Sequence, residues 1–145
     1  MRVPIRVDYG VRALVELAPF YGERPVQTSE IAAKQNIPEP YLDQLLSLMN
    51  KFGLIKSRRG PLGGHSLAIS PQEITLERVM NILEGVSAPL DCLEVPSDCT
   101  LSIVCAQREM WSSVEEAIRG VLRSTTISDL SDRQKILIQK KLAVA

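Results

Sequence analysis

Histidine is almost absent from this chain: His65 is the single one in 145 residues. No Ser/His/Asp set, phosphate-cradling loop or ligand triad with an open position can be assembled, which argues against an enzyme. No apolar run approaches the ~20 residues that a bilayer-spanning helix needs. The opening MRVPIRVDYG lacks the apolar core of a signal peptide, so the expected setting is the cytoplasm, with no membrane partner. An excess of charge is missing too, with 17 basic against 17 acidic residues and a mean hydropathy of +0.03. Internal repeats and low-complexity segments are also lacking. A chain of this length, 45% hydrophobic and 23% charged, can bury one core or carry a small domain with an extended appendage.

What is present is local. Residues 1–70 carry 9 Lys/Arg against 6 Asp/Glu, whereas residues 71–145 carry 8 against 11. Between Gln44 and Gln72 there is no acidic residue, while Lys51, Lys56, Arg58, Arg59 and His65 all fall there. Such a cationic strip in a neutral protein is compatible with a polyanionic partner. The only three cysteines, Cys92, Cys99 and Cys105, lie within 14 residues that show no clean helical or strand period. In a reducing compartment, clustered thiols point to metal, cluster or redox chemistry more than to a structural disulfide. Three is one short of the four ligands that zinc or a cubane iron–sulfur cluster takes.

The apolar pattern divides the chain. Val7, Val11, Leu14, Val15, Leu17 and Ala18 recur at helical spacing, and the spacing predicts a helix from Val7 to Tyr21, stopped by Gly22. A second, short helix follows, with Thr28 or Ser29 as its cap and Ile31 and Ala32 facing inward. After a break at Asn36 and Ile37, PEPYLDQLLSLMNKF reads as a third helix whose inward stripe is Leu42, Leu45, Leu46, Leu48 and Met49. LIKSRR and HSLAIS are then two short strands joined by GPLGG. Three helices and a hairpin describe a winged helix-turn-helix over residues 1–70. Residues 71–145 hold a linker helix, the cysteine loop (88–105), and a long helix with Met110, Trp111, Val114, Ala117, Ile118, Val121 and Leu122 on one stripe. That stripe suits a helix–helix seam with a second copy of the chain, or packing back on the first helix. The tail from Ile127 reads as a last helix. The fold class is mainly α with a small β-wing.

A helix-turn-helix presents the N-terminal residues of its second helix to base edges in the major groove. Here these are Glu39, Pro40, Tyr41, Asp43 and Gln44, with Ser47 one turn on. Gln44 can offer a bidentate amide to adenine, and Asp43 can accept from a cytosine amine. Thr28 and Ser29 can present hydroxyl and N–H groups to a phosphate. Arg58 and Arg59 precede the wing tip, where a guanidinium can enter a minor groove. His65 belongs to the same cationic strip.

The run from Tyr41 to Gly64, YLDQLL…GLI…RGPLGG, followed by the cysteine triplet, resembles the winged-helix iron–sulfur cluster regulators of the IscR and NsrR types. The resemblance extends from Arg2 to about Ser124 and implies a homodimeric transcription regulator on promoter DNA, with the three cysteines holding a [4Fe–4S] or [2Fe–2S] cluster. Two departures bear on that expectation. The first cysteine gap is six residues, and Arg108 stands where the biogenesis regulators place a histidine ligand. Arginine has no free lone pair to offer. The resemblance to the nitric-oxide-sensing type makes Asp8, supplied by the partner subunit, the candidate fourth ligand of a [4Fe–4S] cluster, the favoured type. Two alternatives stay open: a cluster-free regulator with a thiol redox or zinc switch, and a module that docks a protein partner instead of DNA.

Overall fold

The computed structural model describes residues 2–85 and 88–145. Helix α1 (Ile5–Leu17) buries Val7, Ala13, Leu14, Val15 and Leu17. It ends four residues short of Tyr21 because Pro19 has no N–H with which to continue the ladder; Ala18–Phe20 tighten into a 3-10 turn instead. Helix α2 (Thr28–Gln35) follows, capped at its far end by Asn36 in the left-handed conformation. Its N-cap is Gln27, without a side-chain capping bond. Thr28 is therefore already helical, and its hydroxyl is used elsewhere.

Helix α3 (Glu39–Lys51) buries Leu42, Leu45, Leu46 and Met49, while Leu48 is half-buried at the core's edge. Strands β1 (Ile55–Arg58) and β2 (Gly64–Leu67) pair antiparallel, with Ser57 opposite His65. The backbones of Val26 and His65 exchange hydrogen bonds of 2.9 and 2.8 Å, which ties the wing to the segment before α2. Helix α4 (Leu76–Leu83) packs on α1 and α3. A Cβ on Gly10 would overlap the Leu83 side chain, so glycine sets the close approach of α1 and α4.

The thiol segment contains one short helix, α5 (Asp91–Glu94), and leads into α6 (Ala106–Ser124). Helix α6 packs on α4 and α5, and it is the tail helix α7 (Ile127–Val144) that packs on α1, the place given to α6 in the alternative to a seam with a second copy. Two features direct α7 there. Thr126 and Asp129 form a reciprocal capping box, and the Ile127 N–H donates to the Ile74 carbonyl at 2.9 Å. One buried cluster runs from Val7 to Ile127 and draws on α1–α4, the wing and the first turn of α7.

Candidate nucleic-acid interface and thiol segment

The turn Asn36–Pro38 sets α3 against α2 as the second helix of a helix-turn-helix. Asp43, Gln44 and Ser47 are exposed along α3, with Glu39 and Pro40 exposed in its first turn. Tyr41 is half-buried, its ring 5.7 Å from that of Tyr9 in an edge-to-face contact, so it braces α3 on α1. Arg58 and Arg59 are exposed at the wing. Gly60 turns the chain at a φ of +104°, and a Cβ on Gly63 would overlap the Arg58 carbonyl, so both glycines hold the wing tip narrow.

Between α2 and the wing lies a groove of about 260 Å³, lined by Gln27, Thr28, Ser29, Glu39, Gly64 and His65 among others. Thr28 and Ser29 contribute first-turn N–H groups that have no acceptor within the helix. The side chain of His65 spans the groove wall. One ring nitrogen lies 3.0 Å from Thr28 Oγ1 and the other 2.8 Å from Ser57 Oγ. Both nitrogens are thus engaged, and His65 is a strut of the wing and not a free edge for bases. Burial holds its pKa below the ordinary 6.5, with the charge of Asp43 pulling the other way. Two ties in this region escape inspection of the sequence. Gln27 Nε2 donates to the Pro61 carbonyl at 3.4 Å. Glu16, only 13% exposed, accepts from Gln134 Nε2 at 3.1 Å and from Gln35 Nε2, joining α7 and α2 through α1. The signal for Glu16 was an acid set between Val15 and Leu17 of a buried stripe.

The three thiols are all half-buried and none is in a disulfide. Cys92 sits on α5, and Cys105 is the N-cap residue of α6. Arg108 Nε donates to the Cys92 carbonyl at 3.1 Å, so the residue standing in the histidine place anchors the loop. By donor chemistry the thiols fit an iron–sulfur cluster. Within one chain the donors do not converge: among the described residues, no three of the His, Cys, Asp and Glu side chains are grouped to hold a metal. Asp8 is engaged by Arg12 in a bidentate pair, both contacts 2.9 Å.

The Rrf2 family model, described as an iron-dependent transcriptional regulator, matches residues 4–133. The chain belongs to the Rrf2 family. Bacillus subtilis CymR, an HTH-type transcriptional regulator, is 37% identical over 90% of each chain. The solved structure of that CymR, the global cysteine regulator, aligns with a TM-score of 0.78 at 36% identity, covering 92% of this chain and 98% of CymR. That of T. potens IscR aligns with 0.75 at 32% identity, covering 92% and 88%. Like its Rrf2 relatives, the chain is a DNA-binding transcriptional regulator and not an enzyme, built on the expected winged helix with a two-stranded wing. No helix among the described residues is long and apolar enough to cross a membrane.

Proposed function

We propose that this Rrf2 protein is a homodimeric, cytoplasmic regulator that reads promoter DNA with α3 and the wing, and that the thiol segment sets its DNA affinity. The observation that carries this reading is α6. It buries no residue in its 19, and Met110, Ala117 and Val121 stand exposed with the half-buried Val114 at spacings of four, three and four. That is a heptad seam without a partner in the chain, and a second copy supplies one. Such a dimer presents two α3 helices to two half-sites, with Gln44, Asp43 and Ser47 toward bases and Thr28, Ser29, Arg58 and Arg59 toward the backbone and minor groove. The reading head is then residues 1–70 with α4 and the start of α7 packed on it, and α6 is the pairing arm.

Cys92, Cys99 and Cys105 would hold an iron–sulfur cluster, with [4Fe–4S] favoured and [2Fe–2S] the other type; Asp8 of the partner subunit would be the fourth donor once Arg12 releases it. When bound, a cluster supplies a group that reacts with oxidants and nitric oxide. The thiol segment joins α4, which packs on the head, to α6, which pairs the copies. A change in the loop therefore moves one head relative to the other, and fixed half-site spacing makes affinity steep in that movement. The family's description as iron-dependent supports the cluster. A second reading, a thiol redox switch without a cluster, is favoured by three free cysteines that do not converge in one chain and by the kinship with a cysteine regulator. Anaerobic purification with iron and sulfide quantification separates them. A brown, iron-containing protein that Cys99→Ala decolours supports the cluster. Colourless, iron-free protein whose thiols oxidise with change in a DNA footprint supports the switch.

A further inference from the structure

We propose that His65 is a positioning residue for DNA binding: it fixes Thr28 against the wing and takes up a proton as a DNA phosphate arrives beside it. The proposal rests on the DNA-reading face described above and concerns how that face is wired. Three elements meet at one ring. Thr28 comes from α2, Ser57 from β1, and His65 itself from β2, whose backbone is already bonded to Val26. The ring therefore holds the wing and the first turn of α2 in a single register.

The hydrogen bonds carry the proton coupling. A neutral imidazole has one N–H and one lone pair, so one of the two flanking hydroxyls must donate to the ring. In the protonated ring both nitrogens donate, and both hydroxyls accept. Where Thr28 is the donor to the neutral ring, protonation turns its O–H free to point into the groove, where Thr28 and Ser29 also offer backbone N–H groups. A phosphate placed there gains a donor and a nearby cation in the same step. The proton comes from solvent, and no bond other than N–H is made.

The charges around the ring fit this exchange. Asp43 and Glu39 approach from α3, Thr28 and Ser57 are neutral, and Lys56 and Arg58 line the cleft on the other face of the hairpin. In the free protein burial favours the neutral imidazole. A phosphate adds the negative charge that favours the imidazolium. One proton taken up per protomer strengthens binding by as much as tenfold per pH unit per half-site, on the order of the linkage limit.

The test uses the full-length protein and a DNA duplex that the wild-type protein has selected from a random pool. Affinity is measured by fluorescence anisotropy from pH 8 to pH 6 at constant ionic strength. Wild-type affinity is expected to tighten by roughly tenfold or more as pH falls across that range. His65→Gln keeps a donor and an acceptor in place, so it is expected to bind within about threefold of wild type at pH 8 and to show a flat profile, since an amide does not titrate. His65→Ala is expected to bind more weakly at both pH values. Thr28→Val, which keeps the shape of the half-buried side chain but removes its hydrogen bond to the ring, is expected to flatten the profile as well. Parallel profiles for wild type and His65→Gln overturn the proton coupling, and His65→Ala binding as tightly as wild type overturns the positioning role. Wild-type protein that selects no duplex at any pH overturns the DNA reading itself, and this inference with it.

Discussion

Helices α3 and α6 are both amphipathic, 13 and 19 residues long, yet α3 buries four side chains and α6 buries none. The contrast comes from neighbours and not from composition. Helix α3 is faced by α1, α2, α4 and β1, and Leu42 and Leu46 are fully enclosed between them. Among the described residues helix α6 packs chiefly on α4 and α5, where Ile118 and Leu122 are half-buried and Glu77 pairs with Arg119 and Arg123. Partly exposed pairs of this kind contribute about 0–1 kcal/mol each. The head is thus complete within one chain, whereas the arm has a patterned face and nothing on it. In the proposed dimer, a stretch paired with a second copy is where a sensor can act, because small changes there alter the dimer without unfolding the head.

The comparison breaks first in the head's core. Leu46→Ala should cost about 2–5 kcal/mol in urea unfolding, since it empties a fully enclosed site; Val121→Ala on α6 should leave the chain's own unfolding within about 0.5 kcal/mol. Next in size is reading. Gln44→Ala should lose about 1–3 kcal/mol of discrimination between the selected site and a single-base variant, measured by competition. Arg59→Ala should weaken all duplexes to a similar degree, with a salt slope shallower by about one, if that guanidinium meets a phosphate. The smallest effect is one of pH. The folded-state pKa of His65 is depressed, so its contribution to stability is complete above the ordinary 6.5 and is lost as pH falls through the folded value. Thermal melts of free wild-type protein should therefore drop below pH 6.5 more steeply than those of His65→Gln. DNA affinity should move the opposite way.

Much of the head was legible because its signals are periodic. The stripe Leu42, Leu45, Leu46 and Met49, the break at Asn36 and the glycines of the wing all specify local geometry by themselves. What was not legible depends on contacts between distant residues. Thr28 looks like a cap from its position, but His65, 37 residues away, claims its hydroxyl. The return of α7 to α1 rests on two buried residues, Ile127 and Ser131, and on the Thr126–Asp129 cap, too few for a stripe to announce it. Asp8 read as a candidate cluster ligand, although Arg12 one turn later is spaced to engage it. The thiol segment shows the deepest limit. Its three cysteines are plain in the sequence, but whether they converge is decided by chain geometry and by what a second copy brings to them.

Sedimentation equilibrium of wild-type protein against Val121→Glu, at micromolar concentration, tests the division between head and arm most directly. Val121, 63% exposed, sits on the unpartnered stripe. The wild type should be a dimer, and the variant a monomer whose circular dichroism and thermal melt match those of a folded head, because the substitution places a charge where only the second copy would bury it. Dimerisation weakened by on the order of 100-fold corresponds to about 3 kcal/mol. A wild-type protein that sediments as a monomer, or a variant that stays dimeric, would contradict the assignment of α6 as the pairing surface.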